Sequence, residues 1–336
     1  MIVDAHLDLA YNAMLGRDVR LPARQQPAWN NQIATVGLPD LRAGGVGLVC
    51  ATIFCPPREG CDDPDGYTTP DEARALALRQ LAWYRSIIDE GLMRFVEDGA
   101  LKIESGAESF TPHPQSAILL LEGADALRTP DDVPEWFDAG LRIVGLAWKR
   151  TRYAGGTGAP GPLTADGVAL VRELDRFGII HDASHLAEES FFQLLDLTDG
   201  PIIASHSNCR AIVPGDRHLS DQMIRALIAR GGVVGINLFH KFLLPPDEHG
   251  KRRATLNDVV RHVNHICELA GNANHVGLGT DMDGGLGREQ IPVEIQTSAD
   301  LPRVGDALSA SGFGDVDVNA IISENWTQFM QRSLPR

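Results

Sequence analysis

Short unbroken apolar runs recur along the chain, separated by longer stretches in which apolar residues return every three to four positions. Eight such runs stand out: Ile2–His6, Val46–Phe54, Ala117–Leu121, Val144–Trp148, Gly178–Asp182, Ile202–His206, Val233–Phe239 and Val276–Thr280. Most are continuous and not alternating, as expected of strands covered on both faces in a parallel sheet. The amphipathic stretches carry helix boundaries. Thr69-Pro70-Asp71-Glu72 offers a cap, a proline at the first helical position and the acid of a capping box, so this helix is predicted to run to about Glu90, with Gly91 ending it. Further helices are predicted over Ala165–Phe177, Glu188–Leu197, Asp221–Ala229 before Gly231-Gly232, and Leu256–Ala270, the last opened by Thr255-x-x-Asp258 and closed by Gly271. Eight strands alternating with helices over somewhat more than the typical ~250 residues predict an α/β fold of the (β/α)8 TIM-barrel class. A single catalytic domain over 1–336 accommodates it, with loop insertions at Gly16–Gln32 and Pro56–Thr68. A doubly wound sheet is the weaker alternative, since no G-x-G-x-x-G follows an early strand and Gly44-Gly45-Val46-Gly47 precedes one.

The same runs end in metal-ligand chemistry. His6 and Asp8, two apart at the first strand end, fall on one face if the strand alternates, and imidazole and carboxylate both suit zinc and related divalent ions. Glu122 follows the third run, Asp182 and His185 the fifth, His206 closes the sixth, and Asp281 and Asp283 follow the eighth. Active sites are built at the carboxyl ends of barrel strands. Five separate strands ending in such residues are hard to explain as five structural accidents.

Composition narrows the class. With 336 residues, 43% of them hydrophobic, the chain has material for a large core, yet no apolar stretch approaches the roughly 20 residues a membrane span needs. The first strand begins at Ile2 without a basic segment or apolar leader, so a cytoplasmic protein is expected. Five cysteines without C-x-x-C spacing read as reduced thiols, although Cys55 and Cys61 could pair in an oxidising setting. A net charge of −15 opposes nonspecific attraction to nucleic acid or anionic lipid.

Taken together, Asp4-Ala5-His6-Leu7-Asp8, Leu121-Glu122-Gly123, Asp182-Ala183-Ser184-His185, Ser205-His206-Ser207-Asn208, Asp216-Arg217-His218-Leu219-Ser220-Asp221 and Gly277-Leu278-Gly279-Thr280-Asp281-Met282-Asp283-Gly284 resemble the membrane (renal) dipeptidase family of zinc metallopeptidases, peptidase family M19, over most of the chain. The resemblance implies two divalent ions per chain, zinc first, with His6 and Asp8 at one, His185 and His206 at the other and Glu122 bridging them. It also implies a dipeptide as the small-molecule substrate, a D-residue at its carboxyl side being allowed, hydrolysed by a hydroxide held between the ions. Glu122 and Asp281 would be the catalytic carboxylates, Asp281 handling the proton, and Arg217 would contact the substrate carboxylate. A homodimer is compatible with this picture. Physically, two adjacent cations need a shared anion, and their field lowers the pKa of water from 15.7 toward about 7. Asp283, two residues on and so on the same strand face, competes with Asp281 for the proton role and is otherwise an orienting or structural residue; His181 is expected to face away from the metals.

One position departs from the family pattern. Trp148 stands where relatives carry a histidine that polarises the scissile carbonyl, and an indole donates one N–H and carries no charge. Arg150 or Arg152, in the basic loop Lys149–Gly156, would then be the electrophile, and Trp148 a substrate-binding wall. This motivates an alternative reading as a binuclear amidohydrolase of another small amide, a lactam or N-acyl amino acid. A non-catalytic, metal-stabilised binding protein is the third reading, disfavoured because a binder needs no spare base such as Asp281. His218, His240, His249, His262, His265 and His275 are assigned no site role.

Overall fold

The computed structural model describes residues 1–59, 66–99, 114–245 and 252–335. Cys61 and His249 lie outside the described residues, as do residues 60–65 of the Pro56–Thr68 insertion. The strands are β1 (Ile2–Leu7), β2 (Val46–Phe54), β3 (Met93–Phe95), β4 (Gln115–Glu122), β5 (Leu141–Gly145), β6 (Ile180–Asp182), β7 (Ile202–Ile203), β8 (Val234–Ile236) and β9 (Val276–Leu278). All pair in parallel in the order β7-β6-β5-β4-β2-β1-β9-β8. A parallel bridge between Ala204 and Val234 joins the two ends, so the eight form a nearly closed barrel. The expected TIM-type α/β barrel is therefore the fold. The short β3 was not expected; it pairs with Gln115–Ala117 at the start of β4, below the point where β5 begins pairing at Leu119.

The helices follow their capping chemistry. The helix Pro70–Asp89 opens on a Thr69/Glu72 capping box, Ala165–Arg176 on Thr164, Asp221–Ala229 on Ser220, and Leu256–Ala270 on a Thr255/Asp258 box. Gly271, at φ +72°, ends the last of these in the left-handed conformation that glycine adopts without cost.

Two apolar layers hold these elements. One lies between strands and helices and includes Leu41, Ala77, Tyr84, Leu170, Phe191 and Leu227. The other fills the barrel, with Val3, Ala5, Leu48, Cys50, Ile118, Leu120, Ile143, Ile180 and Ile203 meeting Trp326, Phe329 and Met330 of the C-terminal helix. Gly277 permits that closure, because a Cβ there would sit 2.2 Å from the Trp326 indole nitrogen. With one barrel end plugged by apolar side chains, the polar residues at the strand carboxyl ends gather at the other. Cys50, Cys55, Cys209 and Cys267 are unbridged. No helix among the described residues is long and apolar enough to cross a membrane.

Candidate metal centre

The strand ends deliver the candidate ligands by a regular rule. His6 lies within β1 and Asp8 just past it, Glu122 is the last residue of β4, and His185, His206 and Asp281 each fall three residues beyond β6, β7 and β9. His185 and Asp281 have positive φ, +64° and +58°, a region non-glycine residues seldom occupy. The chain thus turns inward at both.

The side chains converge. The Glu122 carboxylate lies 3.7 Å from His6 Nε2, 3.3 Å from His185 Nε2 and 3.2 Å from His206 Nε2. His6 Nε2 is 3.7 Å from Asp8 Oδ2, and the His6 and His206 rings stack with centroids 3.7 Å apart. Two groups have ligand atoms close enough to share an ion: His6, Glu122 and His206, and His6, Asp8 and Asp281.

These residues fit divalent metal on observations of the site itself. His6 Nε2, Asp8 Oδ1 and Glu122 Oε1 are buried without a hydrogen-bond partner, which costs free energy unless something else satisfies them. His185 Nε2 and His206 Nε2 face each other at 3.1 Å, a contact that needs a cation or proton between the two lone pairs. Protons alone leave the cluster in conflict. Burial works against a charged His6, yet Glu122 and Asp8 hold it well above the usual imidazole range. Burial pushes His185 and His206 well below it, helped by Arg217 at His185 and by His6 at His206. Burial also raises Asp8, and lifts Asp281 to about 8 against the pull of His6.

Hydroxyls and amides around the ligands fix their orientation. Ser205 Oγ contacts Asp182 Oδ2, His206 Nδ1 and His6 Nδ1, while Thr157 Oγ1 lies 3.0 Å from His185 Nδ1. Asn237 Nδ2 donates to Asp281 Oδ2 at 2.8 Å, and its Oδ1 accepts from Phe239 N at 2.7 Å, so the amide cannot flip without losing both. Asp4 binds Thr280 through N and Oγ1 and the His6 amide, tying β1 to the loop that carries Asp281. Asp281 Oδ1 rests against Gly284, where a Cβ would lie 1.8 Å from it and 2.9 Å from Asp8 Oδ2.

Asp283 points elsewhere. Its carboxylate accepts from Thr35 N and Oγ1 and Val36 N and pairs with buried Arg17 at 3.1 Å. β9 ends at Leu278 and Asp283 has φ +66°, so the same-face relation expected for Asp281 and Asp283 does not hold. The Asp283 contacts instead pin the first insertion, whose Trp29, Asn30 and Gln32 line the cavity.

That cavity, about 410 Å³, opens over Asp8, Glu122, His185, His206, Arg217 and Asp281. Arg217 is buried, donating to His206 O at 2.6 Å and Ser207 Oγ at 3.2 Å, with its Nε unpartnered. Tyr11, Phe54, Trp148, Phe239 and Phe242 supply apolar walls, and the Trp148 ring sits 5.3 Å from Phe54 and 6.0 Å from His185. Trp148 lies in a loop, since β5 ends at Gly145. The structure does not bring Arg150 or Arg152 into the cavity: Arg150 is exposed and donates to Pro160 O, and Arg152 binds the carbonyls of Asp125, Leu127 and Arg128. His181 turns away onto Asp175, 2.8 Å distant. His218 does not line the cavity and packs on its wall residue Phe242, while His262, His265 and His275 contact Leu243 O, Asp221 and Gly232 O, all outside the lining.

Comparison with known proteins agrees with this geometry. A family model described as membrane dipeptidase (peptidase family M19) matches residues 1–333. An uncharacterised protein from the pqqA 5′ region of Klebsiella pneumoniae is 32% identical over 209 residues, 60% of this chain and 75% of that protein. A protein of Schizosaccharomyces pombe named as an uncharacterised dipeptidase is 26% identical over 308 residues, 84% of this chain and 69% of its own. The solved structure of a metallopeptidase from Rhodobacter sphaeroides, liganded with a phosphinate mimic of the dipeptide L-Ala-D-Ala, superposes with a TM-score of 0.81 at 27% identity, covering 99% of both chains.

Proposed function

The chain belongs to the membrane dipeptidase family, peptidase family M19, and is a dipeptidase of that family; on this premise we propose that it hydrolyses dipeptides with two divalent ions, zinc by preference, held by His6, Asp8, Glu122, His185 and His206. The observation that carries the reading is the convergence of these five side chains, four of them buried and three with unsatisfied ligand atoms, at a cavity lined by Asp8, Glu122, His185 and His206 together with the buried Arg217. Bound there, the ions would supply an acidified water as nucleophile and a field that stabilises negative charge on the carbonyl oxygen.

The chain's own residues do the rest. Arg217, already braced by His206 O and Ser207 Oγ, has Nε–H left for the substrate carboxylate, which fixes the C-terminal end of the dipeptide. Asp281 takes the proton of the attacking water and delivers it to the leaving amine, so no net proton is gained or lost by the protein. Asn237 and Gly284 set where its two oxygens lie. Trp148, Phe54 and Tyr11 form an apolar wall that favours small or apolar residues. A D-residue at the carboxyl side is part of the proposal, supported by the ligand of the Rhodobacter sphaeroides structure.

A second reading, hydrolysis of a lactam or N-acyl amino acid, is favoured by one observation: neither Arg150 nor Arg152 takes up the electrophile's place beside Trp148. A screen of the metal-analysed protein against dipeptides of mixed chirality, lactams and N-acyl amino acids tests both. Dipeptide turnover is expected; turnover confined to the other amides would replace the first reading with the second.

A further inference from the structure

We propose that Ser205, keyed by Asp182, is a hydrogen-bond lock that presents His6 and His206 to both metal positions at once. This rests on the two-ion reading above. Asp182 Oδ1 accepts from Ser184 N at 3.0 Å and Ser205 N at 2.8 Å, which leaves Oδ2 to the Ser205 hydroxyl at 2.5 Å. A carboxylate has no proton to give, so the single hydroxyl proton of Ser205 is committed to it. The oxygen can then only accept from its other neighbours, His206 Nδ1 at 2.8 Å and His6 Nδ1 at 3.3 Å. Ser184 Oγ, at 3.4 Å, is the most distant contact. Both imidazoles must therefore carry their proton on Nδ1, and both Nε2 atoms turn a lone pair toward Glu122. One hydroxyl thereby sets the ligating tautomer on both sides of the bridge. His185 receives the equivalent contact from a different hydroxyl, Thr157 Oγ1, whose own proton is committed to no carboxylate by the contacts described. The lock is strict at Ser205 and looser at Thr157.

The chain's folding explains why one residue reaches both. Ser205 and His206 are adjacent just past β7, and His6 is brought beside them by closure of the barrel, although 199 residues separate it from Ser205 in sequence. Its backbone is held equally closely, since a Cβ at Gly235 or Gly279 would fall 1.9 or 1.7 Å from Ser205 O.

The decisive variant is Asp182→Asn, nearly isosteric but reversed in polarity. With the amide oxygen kept on the two backbone N–H groups, its NH2 occupies the place of Oδ2, and Ser205 must accept from it. The hydroxyl proton then turns to His206 Nδ1, the imidazole proton moves to Nε2, and that nitrogen is closed to a metal. Zinc titrations of the chelator-stripped full chain, read by a competing zinc indicator, are expected to show one ion, that of His206, weakened at least about tenfold in Asp182→Asn, because the one hydroxyl proton can turn to only one imidazole; both ions weakened, each by less, in Ser205→Ala; and one ion weakened in Thr157→Val. Melting curves taken before zinc is added are expected to show all three folded; if Asp182→Asn does not fold, Ser205→Ala carries the comparison. Wild-type affinity for both ions in Asp182→Asn and Ser205→Ala overturns the lock, as does a loss at one ion alone in Ser205→Ala. A wild type that takes one ion only would overturn the two-ion reading instead, with the lock still judged on that ion's affinity.

Discussion

Adding a single methyl group at Gly284 should disable turnover while leaving the fold and most of the metal binding in place. The hypothetical Cβ lies 1.8 Å from Asp281 Oδ1, and real Cβ contacts essentially never fall below 3.0 Å, so the carboxylate must retreat by at least 3.0 − 1.8 = 1.2 Å. Retreat is hindered on the far side, where Asn237 holds Oδ2 at 2.8 Å. A displacement of about 1 Å in a reacting group can cost on the order of 100-fold in rate, or about 2.7 kcal/mol of activation free energy. Because the φ of Gly284 lies outside the left-handed range, Gly284→Ala tests space and not backbone strain. Gly285 provides the opposite control: it has φ +74° with nothing within 4 Å of its hypothetical Cβ, so Gly285→Ala should cost about 1 kcal/mol of stability and little turnover. Steady-state dipeptide hydrolysis is the assay, with zinc content and melting temperature measured on the same preparations. The expected pattern is a kcat near one-hundredth of wild type for Gly284→Ala, KM changed less than kcat, and a modest drop in zinc content from the 2.9 Å approach to Asp8 Oδ2. A kcat within about threefold of wild type would refute the assignment of Asp281, in this position, to the proton transfer.

Asp281→Asn is expected to keep both metals and lose most turnover, since the amide cannot accept a proton; near-normal turnover with full zinc content would move the base elsewhere. Asp283→Ala should act on stability first, because it strands buried Arg17 and the Thr35 and Val36 amides, at a cost of about 3–5 kcal/mol read by urea unfolding; an unchanged unfolding midpoint would contradict this. For Trp148→His and Trp148→Ala, the ranking of kcat/KM across dipeptides with graded amino-terminal side chains should change; a uniform loss accompanied by a lower Tm would make Trp148 a packing residue.

The sequence made the helices most legible, because their boundaries are written in local chemistry. Thr69 with Glu72, Thr255 with Asp258, and Gly271 act within a few residues of themselves, and the helices Asp221–Ala229 and Leu256–Ala270 end where the glycines after them predict. Strand ends were less legible. The apolar runs continue past the ladder, so Val144–Trp148 becomes Leu141–Gly145 and Ile202–His206 becomes Ile202–Ile203. That difference decides chemistry, since residues past the last ladder bond no longer alternate. Asp281 and Asp283, paired on one face by the rule of two, diverge through left-handed turns to a cavity and to a loop anchor. β3 escaped notice because its three residues include Arg94 and it pairs only with the start of β4. The ligand-type side chains themselves were readable from residue type and place. Ser205, Thr157 and Asn237 were not, for their partners lie on other strands and loops and their hydroxyl or amide carries no mark of its use. Arg150 and Arg152 show the converse, basic residues beside a site whose guanidinium groups brace loops.

Zinc per chain, measured by elemental analysis alongside dipeptide turnover in the wild type and in Glu122→Ala, tests the central claim most directly. Among the described residues Glu122 is the carboxylate within 3.7 Å of all three imidazole Nε2 atoms, so its loss would remove the anion that the two proposed positions share. The wild type reconstituted with excess zinc should hold two ions per chain, and Glu122→Ala should lose zinc and activity together. A wild type that hydrolyses dipeptides fully with at most one ion, or a Glu122→Ala variant that keeps two ions and normal turnover, would contradict the account.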